Sequence, residues 1–171
     1  MRLHSFLGNR KGSASAEMAL VMPLLLVLMF GSFELGRYFL DEHVVAKAVR
    51  DGARFAALGT FVNYPSCSGE PAGNIASNTR SIVRTGRLGG TTPRLSYWPN
   101  TPSGSPPYGI SIAVSCATAV GAQAINGIYD GRTGGAAIVT VTATVPYRPL
   151  FGTLVFSSLN LRASSQAAVT G

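Results

Sequence analysis

The sequence predicts an α+β fold in which a long N-terminal helix packs on a small antiparallel sheet. Three observations lead to this prediction. The first third of the 171 residues is apolar and then amphipathic with helical spacing. The second half contains three runs in which apolar and polar residues alternate, as in half-buried strands. A second, short helical segment and a long Gly- and Pro-rich segment lie between these parts.

The helix begins with a stretch suited to a membrane. Sixteen uncharged residues, MALVMPLLLVLMFGSF, extend from Met18 to Phe33 between Glu17 and Glu34. Extended back to residue 13, the stretch reaches the roughly 20 residues that a bilayer span requires, so we assign 13–34 to a transmembrane segment. The run is longer than a secretory signal core and lacks an A-x-A-like cleavage site, which argues against a removed signal peptide.

The charges that flank this segment predict its orientation. Arg10 and Lys11 precede it, whereas Glu34, Asp41 and Glu42 outnumber Arg37 after it. The positive-inside rule then places the N-terminus in the cytoplasm and the rest of the chain across the inner membrane, as a single-pass protein with a periplasmic or extracytoplasmic domain over 35–171.

The distribution of basic residues along the chain argues against nucleic-acid binding. The chain has 14 Lys+Arg against 7 Asp+Glu, a formal charge of +7, and is 46% hydrophobic. Three of the basic residues lie in the first twelve positions. The other arginines are spread singly, apart from Arg80, Arg84 and Arg87, which fit either a solvated helix face or a surface for an acidic partner. We expect no nucleic-acid partner.

The junction before the apolar run resembles the type IV prepilin signature. Arg10-Lys11-Gly12 is followed by Ser13 and, at the fifth position after the glycine, by Glu17. The resemblance implies a leader over 1–12 that prepilin peptidase cuts between Gly12 and Ser13. It also implies that Glu17 pairs with the amino terminus of a neighbouring subunit, which would offset the cost of burying a carboxylate. Ser13 stands where major type IV pilins have Phe or Met.

The wider N-terminal third resembles the TadE-like pseudopilins of tight-adherence (Flp) pili. The stretch EMALVMPLLL over 17–26 is similar to the family's E-x-A-L-x-x-P-L-L-L start, and residues 48–56 match its A-x-R-x-x-A-R-x-A segment. The strands around 141–150 and 159–163 resemble its closing strands. The resemblance implies a pilin-like architecture and a role as minor pilin or assembly factor. The implied partners are prepilin peptidase, other pilins or pseudopilins, the tight-adherence assembly platform and the inner membrane.

The helix is predicted to continue beyond the membrane. Residues at spacings of three, four and seven form one apolar face, and Gly59 is a natural stop, so the helix extends to about residue 59. The members of this face are Leu35, Phe39, Ala46, Val49, Ala53 and Ala56. Pro23 removes one backbone hydrogen bond and predicts a kink, either passive or a weak point that bends when the subunit leaves the bilayer.

The outer domain is predicted to contain one helix, one long loop and three strands. Helical spacing covers 72–85, and Gly and Pro mark 86–109 as a loop. Its aromatic residues Tyr97, Trp98 and Tyr108 either form a contact site or fix the loop to the domain. The buried strand positions are Ile110, Ile112, Val114 and Cys116; Val139, Val141, Ala143 and Val145; and Leu159, Leu161 and Ala163.

The connection between the last two strands is unusually apolar. Its apolar residues are Leu150, Phe151, Leu154, Val155 and Phe156. They either complete the core or form a contact patch for neighbouring subunits.

Cys67 and Cys116 are a plausible disulfide pair on the oxidising side of the membrane. A metal site is the weaker interpretation, because no His or second Cys pair lies at ligand spacing.

Of the two histidines, only His43 follows the leader, and no nucleophile, phosphate-binding or paired-carboxylate motif is present. We therefore expect no catalytic residue, no cofactor and no enzyme. The alternative function is a permanently anchored periplasmic binding module that keeps its N-terminus.

Overall fold

The computed structural model describes residues 11–99, 108–117, 127–132, 134–151 and 159–171. Two helices and three strands make up the described chain. Helix α1 covers Lys11–Ala57 and helix α2 covers Ile75–Thr85. Strands β1, β2 and β3 cover Gly109–Ala117, Ala136–Pro146 and Asn160–Ala168. Short 3-10 turns occur at Phe61–Asn63 and Gly127–Tyr129.

The strands form one antiparallel sheet in the order β1-β2-β3. The register sets Val114 opposite Val139 and Val145 opposite Leu161. Alternate residues of each strand point to one face, so the valines of β2 lie on the buried side while its threonines lie on the other. The predicted α+β class is confirmed.

The hydrophobic core lies between the sheet and the second half of α1. Helix α1 lies against β2 and β3, and α2 packs on α1 and borders β1. The fully buried residues that α1 contributes are Val45, Ala48, Val49, Ala53 and Ala56. Small side chains at these positions let the helix approach the sheet closely. The chain then returns to α1 at its end, where the Thr170 N–H donates to the Ala57 carbonyl at 2.9 Å.

The buried face of α1 differs from the predicted one near the membrane. Val49, Ala53 and Ala56 are buried as predicted, but Leu35 and Phe39 are 48% and 49% exposed. Glu34 is buried in their place, because the chain after β2 packs on the neighbouring side of the helix. Apolar spacing alone could not distinguish a side that meets the domain from a side that meets lipid.

Element boundaries also differ in detail. Helix α2 begins at Ile75 rather than at residue 72, and β3 begins after Leu159, whose side chain is 37% exposed instead of buried. Helix α1 continues without interruption through Pro23. Of the apolar connection, Leu150 and Phe151 are described and exposed, so they do not complete the core; Leu154, Val155 and Phe156 lie outside the described residues.

Candidate functional site

The first half of α1 presents a continuous apolar surface. Every side chain from 14 to 30 is exposed, and Leu20 is 80% exposed. An eighteen-residue window of the helix has a mean hydropathy of 2.1, and 6% of it is buried within the protein. The helix is therefore long and apolar enough to cross a membrane.

The predicted processing and assembly residues all lie on this half of the helix. Gly12 and Ser13 fall in its first turn, and Glu17 and Pro23 follow within the next three turns. The Glu17 side chain is exposed. Cleavage at Gly12 and intersubunit pairing of Glu17 stay predictions.

A buried carboxylate marks the point where α1 meets the domain. Glu34 follows directly after the apolar run, and it is 4% exposed. Its Oε1 accepts a hydrogen bond from the Tyr147 hydroxyl at 2.5 Å, and its Oε2 accepts one from the Leu150 N–H at 3.0 Å. A buried carboxylate requires such donors to offset its lost hydration. Glu34 therefore ties the chain after β2 to the helix.

The Glu34 carboxylate also affects the pKa of its hydrogen-bond partner Tyr147. Burial and the hydrogen bond to Glu34 raise the pKa of the Tyr147 hydroxyl above its ordinary value, with Arg37 acting in the opposite sense. Tyr147 thus stays protonated and keeps donating over the physiological pH range.

Aromatic contacts extend this junction on both sides of Glu34. The Tyr38 ring meets the Tyr147 ring edge-on with centroids 5.2 Å apart. Phe151 lies against Phe30 with centroids 4.7 Å apart, although Phe30 belongs to the apolar half of α1. A small apolar cavity of about 220 Å³ remains beside them, lined by Glu34, Leu35, Tyr38, Tyr147 and Leu159.

Two further polar contacts fasten the described part of the long loop to α1. The Tyr97 hydroxyl donates to the Asp41 carboxylate at 2.6 Å, and Arg94 forms an ion pair with Asp51 at 2.8 Å. Burial and the Asp41 contact raise the pKa of the Tyr97 hydroxyl. Trp98, 3% exposed, lies in the core. Of the two roles considered for the loop aromatics, Tyr97 and Trp98 therefore fix the loop to the domain.

Cys67 and Cys116 form the predicted disulfide, with their Cα atoms 5.0 Å apart. It joins the segment after α1 to strand β1. Gly134 approaches the bridge with φ of 99°, and a Cβ there would lie 2.6 Å from the Cys67 Sγ. Only glycine fits both the conformation and the space. Among the described residues, no three His, Cys, Asp or Glu side chains gather into a possible metal site.

In the sequence, Glu34 ends the apolar run and is one of the charges that predict the orientation, but its pairing was not predicted. One signal was available: a carboxylate at the membrane boundary requires a partner, and a tyrosine follows Pro146 in an apolar connection. Nothing in either segment, however, specified that Tyr147, 113 residues away, supplies the donor.

One comparison with known proteins gives a match, and the matched residues lie in α1. The family model described as TadE-like protein matches residues 12–54, which run from the predicted cleavage glycine to the helix buried on the sheet. Neither the comparison with curated proteins nor that with solved structures finds a match. The match shows that residues 12–54 of the chain are similar to TadE-like proteins.

Proposed function

We propose that the protein is a membrane-anchored minor pilin or assembly factor of a tight-adherence pilus, released from its leader 1–12 by prepilin peptidase. The observation that carries the proposal is the TadE-like match over 12–54. It coincides with a helix whose first half is exposed and apolar and whose second half is built into a folded domain.

The exposed half of α1 supports a role in assembly. Its apolar side chains require an apolar environment at all times, first from lipid and then, if the subunit leaves the bilayer, from other helices. The domain can leave the membrane only together with this helix. Association with other pilin helices is the arrangement that covers the apolar surface after extraction.

The charges and the disulfide support the proposed topology. The basic leader stays on the cytoplasmic side, and the domain over 35–171 lies on the other side. The Cys67–Cys116 disulfide suits that compartment, because structural disulfides persist in oxidising surroundings.

Cleavage is tested by co-expressing the full chain with and without a prepilin peptidase of the tight-adherence type. The wild-type chain should become shorter on a gel only when active peptidase is present. Gly12→Val should remain uncut, because a branched side chain blocks the backbone from close approach to an active site. Gly8→Val, in the same leader, should be cut as the wild type is. A chain that stays full length with active peptidase would instead support a permanently anchored module.

The role of Glu17 is tested separately from cleavage. Glu17→Gln keeps the shape of the side chain but removes the charge that pairs with a neighbouring amino terminus. We expect the variant to be cleaved but to fail to co-purify with other pilus subunits. Glu42→Gln, beyond the membrane segment, is the matched control and should co-purify. Normal co-purification of Glu17→Gln would refute the pairing role.

A further inference from the structure

The contact between Phe151 and Phe30 shows at which level along the proposed membrane segment of α1 the chain after β2 lies. Phe30 lies four residues before Glu34, where the proposed span ends, so it is about 6 Å inside that end along the helix axis. The Phe151 ring lies against Phe30 with centroids 4.7 Å apart. If α1 spans the bilayer as proposed, Phe151 lies at the depth of the last turn of the span.

The side chains around this contact form an exposed apolar surface, here called the basal patch and defined as Phe30, Phe33, Leu150 and Phe151. Phe33 and Leu150 are 63% and 57% exposed, and Phe151 is 43% exposed. Two members come from α1 and two from the segment after β2, so the patch continues the apolar surface of the helix onto the domain.

Polar and aromatic residues border the patch on the side toward the domain. Arg148 is exposed, and the Arg37 side chain is 37% exposed. Tyr38 and Tyr147 pack together nearby, with ring centroids 5.2 Å apart. Tyrosines and arginines beside an apolar surface are typical of the lipid headgroup region, where anionic phosphates attract the cations.

An irregular segment can enter hydrocarbon only if its polar groups have partners within the protein. The Leu150 N–H and the Tyr147 hydroxyl both donate to the Glu34 carboxylate, and the Tyr147 N–H donates to the Leu159 carbonyl at 2.9 Å. These three donors of the segment therefore have partners within the protein, and so does the Glu34 carboxylate. The apolar side chains of Leu150 and Phe151 can then face lipid at little cost.

We propose that the segment Tyr147–Phe151 is a second membrane contact, in which Leu150 and Phe151 insert among the lipid acyl chains of the outward-facing leaflet beside α1. Arg148 lies at the phosphates. Lipid is the occupant because the patch is continuous with the proposed span and lies at its depth. The contact fixes the orientation of the domain on the membrane, and it must be withdrawn when the subunit is extracted. The inference rests on α1 spanning the bilayer as proposed.

The proposal is tested by tryptophan fluorescence of the full chain in vesicles of phosphatidylcholine and phosphatidylglycerol. Some vesicles carry lipids brominated near the headgroup end of the acyl chains, which quench tryptophans within the bilayer. The wild type, whose single tryptophan Trp98 is buried in the core, supplies the background signal. We expect the signal added by Phe151→Trp and by Phe30→Trp to be strongly quenched. Val62→Trp, at an 85% exposed site beyond the far end of α1, should be unquenched.

The three variants separate the possible results. Strong quenching of Phe30→Trp with Phe151→Trp no more quenched than Val62→Trp would overturn the second contact while leaving the span intact. A blue-shifted but unquenched Phe151→Trp would mean that a second copy of the chain covers the patch, which also contradicts the proposal. An unquenched Phe30→Trp would overturn the span and the second contact together.

Discussion

Glu34 shows how one carboxylate can join a membrane helix to a domain. An unpaired charge at 4% exposure would cost several kcal/mol in lost hydration. The Tyr147 hydroxyl and the Leu150 N–H replace that hydration, and each bond to a charged group contributes more than a neutral hydrogen bond. The contact holds the chain after β2 against α1 directly after the apolar run.

Removing the hydroxyl donor tests this contact. Tyr147→Phe should lower the free energy of unfolding by about 1.5–3 kcal/mol, because it removes a hydrogen bond to a buried charged group. Urea unfolding of the full chain in detergent micelles, followed by Trp98 fluorescence, measures the change. Tyr38→Phe keeps the ring that packs on Tyr147 and should cost less. Equal losses in the two variants would show that the hydrogen bond from Tyr147 to Glu34 makes no specific contribution to stability.

The phenols of Tyr97 and Tyr147, each hydrogen-bonded to a carboxylate, also predict a loss of stability in alkali. Folding raises the pKa values of Tyr97 and Tyr147 above the ordinary value of 10.0. Above that value the unfolded chain releases these protons while the folded chain retains them, so stability is unaffected below it and falls as pH rises beyond it. Urea midpoints between about pH 9 and pH 11 measure the slope. The double variant Tyr97→Phe/Tyr147→Phe should have a shallower slope, and an unchanged slope would contradict the assignment.

At the scale of elements, α1 is held from two sides, by the sheet and by α2. Gly52 allows α2 to cross closely, since a Cβ there would lie 2.3 Å from Cγ2 of Val83. Val83 is fully buried and β-branched, so it has little freedom to move away. The crossing therefore requires glycine although glycine weakens a helix.

This requirement gives Gly52→Ala and Gly36→Ala opposite effects on the same helix. Gly52→Ala should destabilise the protein by about 1–3 kcal/mol through overpacking. Nothing lies within 4 Å of a Cβ at Gly36, so alanine there should stabilise by up to about 1 kcal/mol through helix propensity. Thermal unfolding of both variants, followed by circular dichroism, makes the comparison. Adding Val83→Ala to Gly52→Ala should restore part of the loss, and a stabilising Gly52→Ala would rule out the close crossing.

The disulfide connects elements that are distant in sequence. Cys67 and Cys116 are separated by 49 residues, and cross-linking a loop of this length contributes about 4 kcal/mol in the chain-entropy estimate. Cys67→Ser/Cys116→Ser should lower the free energy of unfolding accordingly. Reductant should destabilise the wild type to the same degree and leave the double variant unchanged. A double variant as stable as the wild type would show that the bridge does not contribute to stability.

The spacing of apolar residues predicted the helices and strands well, but it predicted less well which of their residues lie in the core. Val139, Val141 and Val145 locate β2 because they alternate with threonines. Side chains that alternate with a period of two are typical of a β-strand. The apolar positions Leu35 and Phe39 continue the helical stripe but lie outside the core. Apolar spacing indicates that a surface avoids water, but it does not indicate whether protein or lipid covers that surface.

At the scale of the whole molecule, α1 carries both an apolar run long enough to cross a membrane and one layer of the core. The processing and assembly residues Gly12, Ser13, Glu17 and Pro23 could be proposed from local sequence, because their signature is contiguous. The Glu34–Tyr147 contact could not, because its residues are separated by most of the chain. One uninterrupted helix therefore joins the apolar run to the folded domain.

The proposed function depends on removal of the leader at the start of α1. Mass spectrometry of the N-terminal peptide, measured on the protein extracted from its native membranes, tests this cleavage. We predict a mature chain that begins at Ser13, with the twelve-residue leader removed. A mature chain that still begins at Met1 would refute cleavage.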